Sequence, residues 1–174
     1  MKNLITTFIS NAKWFIATIS DSSKFEDATK DVYKVQQNIL LQYINKNTTT
    51  LFGKQNKFVD ISSIKEFQKN VPLSTYEMYE HYIKQISKSK KNVLTTDPVI
   101  LFEPTSGTSS ATKLIPYTHS LKKEFQKSLN PWFNNLYKTF PEILLGYHYW
   151  SVSPAFHKHS KKGDIKIGFD TDSS

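Results

Sequence analysis

The sequence predicts a mixed α/β fold, in which helices come first and strand–loop–strand units follow. Apolar residues recur at helical spacing through much of the chain up to Asn45. After Asn92, short apolar runs bounded by prolines and polar turns indicate strands. Helices and strands in such an arrangement are typical of layered α/β and α+β architectures. The chain has 174 residues, 38% of them hydrophobic, which is enough for one domain with a substantial core.

Five segments are expected to be helical. One is an amphipathic N-terminal helix that packs on the domain through Leu4, Ile5, Phe8, Ala12 and Phe15. The others are expected at residues 24–45, shortly after 61, and at 76–86 and 120–137. Ser62 or Ser63 is suited to cap the short helix after residue 61, because a serine hydroxyl accepts a hydrogen bond from the first helical turn. Pro131 is expected to kink or split the last helix.

Four segments are expected to be strands, at residues 99–102, 113–117, 147–152 and 165–169. The polar segment between the first two strands is therefore expected to be a loop on a hairpin.

In the last helix, Leu121, Phe125 and Phe133 are among the residues expected to face inward.

The charge of the chain suggests a polyanion partner, but the type of basic residue argues against one. The net charge is +8 and the pI is near 9.4, yet all 23 basic residues are lysines. Arginine supplies the bidentate contacts to bases and phosphates that dedicated nucleic-acid binders use. The lysines are also spread along the sequence, so a solvated surface is favoured over a nucleic-acid site. The chain has no cysteine, which excludes disulfides and thiolate chemistry.

The loop from Thr105 to Lys113 has the composition of an anion-binding site. It reads TSGTSSATK, so that a glycine is surrounded by hydroxyl side chains and a lysine follows them. Glycine lets successive backbone N–H groups converge on one point, and hydroxyls and an ammonium group add donors. The segment lacks the GxxxxGK[ST] spacing of a Walker motif and the GxSxG of a nucleophile elbow. From its residues alone, it is either a phosphate loop or an ordinary polar turn.

Several segments together resemble a known family. TSGTSSATK resembles the phosphate-loop signature [ST]SGT[ST]GxPK of adenylate-forming enzymes, with Ser110 and Thr112 in place of a glycine and a proline. Other matching segments are TTLFGKQNKF (49–58), VPLSTYEMYEHYI (71–83), KLIPYT (113–118), YWSVSPA (149–155) and GFDTDSS (168–174). The combination is similar to the auxin-responsive (Gretchen Hagen) family of acyl-acid amido synthetases, in its bacterial-type branch.

This resemblance implies an ATP-dependent ligase that adenylates a carboxylic acid and transfers the acyl group to an amine or amino acid. It implies ATP and Mg²⁺ as cofactors and a cytoplasmic enzyme without membrane or nucleic-acid partners. The residues implied to line the ATP phosphates are Thr105, Ser106, Gly107, Thr108 and Ser109. Lys113 either adds charge to this site or anchors the loop. No catalytic residue or metal ligand is assigned.

The resemblance also implies that residues 1–174 form a single incomplete domain, the N-terminal segment of the large adenylation domain. The C-terminal remainder and the small mobile domain would lie outside this chain, which alone is expected to be inactive. Two alternatives stay open: a non-catalytic interaction protein, and a lysine-rich nucleic-acid-binding module with a degenerate phosphate loop. Ser110 is the residue that keeps the former open.

Overall fold

The structure, a computed structural model, describes residues 2–105, 113–149, 161–163 and 165–168. Tertiary contacts divide the chain into two compact units. The first contains Met1–Val32 and Lys122–Val152, and the second contains Tyr33–Leu121 and Ser153–Ser174. The expectation of a single incomplete domain stays a prediction.

The first unit is built from α1 (Lys2–Ala28), most of α6 (His119–Thr139) and a 3-10 helix (Pro141–Leu145). The Trp14 ring packs against Phe133, with 4.8 Å between ring centroids. Asn11 Nδ2 donates to the carbonyls of Leu144 and Gly146, at 2.9 Å each. Aromatic packing therefore joins α1 to α6, and amide hydrogen bonds join it to the segment that follows α6.

Helix α1 packs through only part of the face that was predicted for it. Leu4 and Ile5 are 53% and 60% exposed, and Phe8 is also exposed, whereas Thr18 is fully buried. The hydroxyl of Thr18 accepts a hydrogen bond from Asn134 Nδ2 at 3.0 Å, and this bond crosses the helix pair. The prediction that Leu4, Ile5 and Phe8 pack on the domain was wrong. Ala12 and Phe15 are half-buried as predicted, and the Phe15 ring lies 5.6 Å from that of Tyr137. None of the described helices is long and apolar enough to cross a membrane.

The helix expected at residues 24–45 is two helices, since α1 ends at Ala28 and α2 (Val32–Lys46) begins after a turn. At this turn Thr29 Oγ1 donates to the Glu26 carbonyl at 2.7 Å. Lys30 Nζ also bonds to Asp27 Oδ1 at 2.7 Å. Short polar side chains compete here with the backbone ladder, and the helix stops.

Pro131 does not split helix α6. Pro131 lies inside the helix, which continues to Thr139. Phe133 is buried as expected, but Phe125 is 57% exposed and Leu121 is at the surface, so the inward orientation predicted for these two was wrong. The backbone N–H of Leu121 donates to Thr118 Oγ1 at 3.1 Å, which gives the helix a side-chain cap.

The second unit contains α2, three further short helices and two 3-10 helices among its described residues. These are α3 (Leu51–Gln55), α4 (Ile64–Asn70), α5 (Glu80–Ser87) and the 3-10 helices Phe58–Asp60 and Tyr76–Tyr79. Ser63 caps α4 by accepting from the N–H of Glu66 at 3.3 Å. The Glu66 carboxylate in turn accepts from the N–H of Ser62 at 2.7 Å, so the predicted cap is confirmed.

The sheet lies in the second unit. In the described part of the chain it has four strands, β1 (Val99–Pro104), β2 (Leu114–Thr118), β3 (Lys161–Lys162) and β4 (Ile165–Ile167). Their order is β2-β1-β4-β3, with β1 antiparallel to β2 and parallel to β4. The mixed α/β fold class is confirmed. Residues 147–149 are not in a strand, contrary to prediction, and 150–152 lie outside the described residues.

The main core of this unit forms where α5 packs on the sheet. Its buried members are Tyr82, Ile83, Ile86, Val93, Phe102 and Leu114. Phe102, in the middle of β1, is 0% exposed. The core therefore reaches Leu114, the first residue of β2, and fixes the strand that follows the glycine-containing loop.

Candidate functional site

The loop singled out by the sequence connects two paired strands. Pro104 and Leu114 form the last residue pair of the β1–β2 ladder. Beyond it, the N–H of Thr105 donates to the carbonyl of Lys113 at 2.9 Å. Thr105 and Lys113 are thus brought together at the base of the loop. The other predicted site residues, Ser106, Gly107, Thr108 and Ser109, lie outside the described residues, as do Ser110 and Thr112.

The 3-10 helix Tyr76–Tyr79 contacts the second stem of this loop. The N–H of Leu114 donates to the Tyr76 hydroxyl at 2.7 Å. The same hydroxyl donates to the Leu114 carbonyl at 3.2 Å. One phenol oxygen therefore satisfies both backbone groups of the residue that follows Lys113.

The side chain of Lys113 lies over the same helix. Its Nζ is 5.4 Å from the centroid of the Tyr76 ring and 3.8 Å from Glu77 Oε1. The hydrogen bond with the Thr75 side chain is the main cause that lowers the pKa of Glu77, and the charge of Lys113 contributes less. Both Lys113 and Glu77 are exposed, and an exposed pair of this length adds little stability.

The chain segment that precedes β1 is also held in place by backbone hydrogen bonds. The first N–H groups of α3, from Leu51 and Phe52, donate to the carbonyls of Asn92 and Val93 at 2.8 and 3.0 Å. The third, from Gly53, donates to the Thr50 hydroxyl at 2.9 Å. The first N–H groups of a helix have no partners within the helix. Here those of Leu51 and Phe52 fix the segment that leads into β1.

The decisive comparison is with protein-family models. Residues 21–171 match the model described as the GH3 family N-terminal domain. The chain belongs to the GH3 family.

Relatives of this GH3 domain are amido synthetases and ligases. It is 37% identical over 100 residues to the indole-3-acetic acid-amido synthetase GH3.15 of Arabidopsis thaliana, a match that covers 55% of the chain and 16% of that relative. It is 30% identical over 98 residues to the 4-substituted benzoates-glutamate ligase GH3.12 of the same plant, covering 55% and 17%. The matches thus span about one sixth of the relatives' length.

The fold is similar to solved GH3 structures. One is the GH3.15 acyl acid amido synthetase in complex with 2,4-DB, with a TM-score of 0.69, 26% identity and coverage of 87% of this chain and 27% of that one. Another structure of the GH3.15 acyl acid amido synthetase gives a TM-score of 0.62 at 28% identity, covering 68% and 22%. The family resemblance seen in the sequence is therefore confirmed.

Sequence reasoning missed the contact between the GH3 segment that contains Tyr76 and Glu77 and the second stem of the loop, Lys113 and Leu114. The VPLSTYEMYEHYI pattern identified the segment as typical of the family, but 38 residues separate Tyr76 from Leu114. No local pattern reports a contact across that distance. The available signal was the presence of both segments in one family signature.

Proposed function

We propose that this GH3 domain binds the phosphates of ATP in its β1–β2 loop, as part of a cytoplasmic enzyme that joins a carboxylic acid to an amine or amino acid. Family membership and the names of the relatives support the reaction class. The single observation that carries the site is the stem geometry, in which the Thr105–Lys113 hydrogen bond closes the TSGTSSATK segment at its base.

The donor set at this site fits a polyphosphate. Thr105 is exposed just after β1, and Lys113 is exposed on the opposite stem, with its ammonium group 3.8 Å from Glu77 Oε1. Ser106, Thr108 and Ser109 would add hydroxyl donors, and Gly107 would allow close approach of backbone N–H groups. Donors that are already oriented stabilise developing phosphate charge without the cost of reorganising water.

ATP supplies activation in this scheme: a carboxylate oxygen displaces pyrophosphate from the α-phosphorus, and the amine nitrogen then displaces AMP from the acyl carbon. The chain contributes binding and orientation of the phosphates. Within the described residues, no group of three or more His, Asp or Glu side chains could hold a metal ion. Magnesium is commonly bound through substrate phosphates with few protein ligands, so we propose that it enters with ATP.

Titration calorimetry of the 174-residue chain with MgATP, MgADP and AMP tests the proposal. We expect affinity to rise with the number of phosphates, and the double substitution Ser106→Ala, Thr108→Val to weaken ATP binding about tenfold or more. Lys54→Gln, an exposed lysine elsewhere in the unit, serves as the charge control. Equal affinity for ATP and AMP, or none for either, would contradict a phosphate loop.

Lys113→Gln separates the two roles left open for Lys113. A charge role predicts weaker ATP binding with AMP binding unchanged, whereas an anchoring role predicts lower thermal stability and equal losses of affinity for both nucleotides.

Because the matches span about one sixth of the relatives, we expect no acid-dependent ATP–pyrophosphate exchange by this chain alone. Exchange activity would refute that expectation. Salt-sensitive nucleic-acid binding without a response to ATP would instead favour the lysine-rich binding module.

A further inference from the structure

Among the described strands β2 lies at an edge of the sheet, and the two hydrogen bonds of the Tyr76 hydroxyl fall on its outer side. The strand order places β2 at this edge, with β1 as its neighbour. Since the carbonyl of Lys113 accepts from Thr105, the residue after β1, the backbone groups of the next residue, Leu114, face the other way. Unpaired groups on an edge strand would otherwise depend on water or on another chain.

We infer that Tyr76 is a positioning residue for the phosphate loop: its hydroxyl takes the place of a neighbouring strand and holds the stem at Leu114. The inference rests on the proposed function and adds a residue to it. Both bonds converge on one oxygen, at 2.7 and 3.2 Å, so they restrain the N–H and the carbonyl of Leu114 together. Leu114 is itself 6% exposed and belongs to the core, which ties this stem to α5.

The Tyr76 ring adds a second restraint on the same stem. Lys113 Nζ lies 5.4 Å from the ring centroid, within the range of a cation–π contact. Tyr76 therefore restrains the backbone of Leu114 through its hydroxyl and the side chain of Lys113 through its ring. Fixing a loop before it binds reduces the entropy lost on binding, so loss of this restraint lowers phosphate affinity without removing any phosphate ligand.

Tyr76→Phe isolates the hydroxyl, because the ring beneath Lys113 remains. The matched control is Tyr79→Phe in the same 3-10 helix, where the lost hydroxyl bonds to Ser74 Oγ, at 2.7 Å, and not to the loop stem. The first measurement is amide hydrogen exchange followed by NMR. We expect exchange at Leu114 to be at least tenfold faster in Tyr76→Phe and unchanged in Tyr79→Phe. Unchanged exchange at Leu114 in Tyr76→Phe would overturn the inference.

The second measurement is ATP affinity. We expect Tyr76→Phe to bind MgATP about tenfold more weakly, as loss of one or two hydrogen bonds predicts, and Tyr79→Phe to bind like wild type. Equal affinities in the two variants would overturn the positioning role while the proposed function stands. Failure of wild type to bind ATP would overturn the proposed function, and exchange at Leu114 would then decide whether Tyr76 holds the stem.

Glu77→Gln provides a second variant that leaves both Tyr76 hydrogen bonds in place. Because the Glu77–Lys113 pair is exposed and 3.8 Å long, we expect exchange at Leu114 to stay within twofold of wild type. Faster exchange in Glu77→Gln than in Tyr76→Phe would show that the ion pair holds the stem, and would overturn the assignment to the hydroxyl. Circular dichroism of every variant checks that the fold is retained.

Discussion

Replacing Gly53 by alanine sets two opposing effects against each other. Alanine favours a helix over glycine by about 1 kcal/mol, and Gly53 lies inside α3. However, a Cβ at this position would lie 2.1 Å from the carbonyl oxygen of Asn47 and 3.0 Å from Thr50 Oγ1. The nearest neighbour is backbone, so it cannot rotate away as a flexible side chain would.

The contact is more than 1 Å shorter than a comfortable carbon–oxygen distance, so α3 must move away from Asn47. Overpacking of this kind typically costs about 1–3 kcal/mol. The movement also strains the cap in which Gly53 N–H donates to Thr50 Oγ1, and loss of such a cap costs about 1 kcal/mol. After subtraction of the helix propensity, we expect Gly53→Ala to lower the free energy of unfolding by about 2 kcal/mol.

At this chain length the loss corresponds to a fall in Tm of roughly 4–8 °C. Thermal unfolding followed by circular dichroism at 222 nm measures it. Gly146→Ala is the matched control, because its Cβ would meet only the Ile143 carbonyl oxygen, at a comfortable 3.6 Å. We expect that variant to stay within about 0.5 kcal/mol of wild type. A Gly53→Ala protein as stable as wild type, or both variants equally destabilised, would refute the steric reasoning.

Three further substitutions test other parts of the second unit. Gly163→Ala should destabilise the β3–β4 turn by at least about 1 kcal/mol, since Gly163 has φ +65° and a Cβ would lie 1.8 Å from the Ser87 carbonyl; amide exchange in β4 would report it. The hydrogen bond from Lys46 lowers the pKa of Asp97 in the folded protein. The stability that the Asp97 carboxylate contributes is therefore present above its unfolded pKa, about 3.9, and is lost as the pH falls through the lower folded pKa. Asp97→Asn should therefore cost about 0.5 kcal/mol at pH 7 and nothing near pH 2 in urea titrations; an equal cost at both would contradict this. Ser63→Ala should cost about 1 kcal/mol by the same method, through loss of the α4 cap, and no loss would argue against that cap.

The sequence was most informative where structure depends on near neighbours. The cap at Ser63, the β1 and β2 strands and the loop between them were predictable, because capping residues and short apolar runs act over a few positions. It was also sufficient for the family, since the resemblance needs only matching segments. The sequence predicted the hairpin, and the structure adds the hydrogen bond from the Thr105 N–H to the Lys113 carbonyl at its base.

Predictions failed where distant residues decide which way a side chain faces. Leu4 and Phe8 recur at helical spacing, yet both are exposed, whereas Thr18 is buried and bonds to Asn134, 116 residues away. The break after Ala28 also escaped the periodicity, since side-chain hydrogen bonds in the turn determine it.

The sequence by itself determined the family, the mixed α/β class and the identity of the loop that carries the hydroxyls, the glycine and the lysine. Only the tertiary structure showed which residue contacts the stem of that loop. Tyr76 reaches Leu114 because the 3-10 helix Tyr76–Tyr79 lies beside β2, an edge strand among those that the structure describes. That position depends on core packing between α5 and the sheet, a non-local property that no spacing of residues encodes.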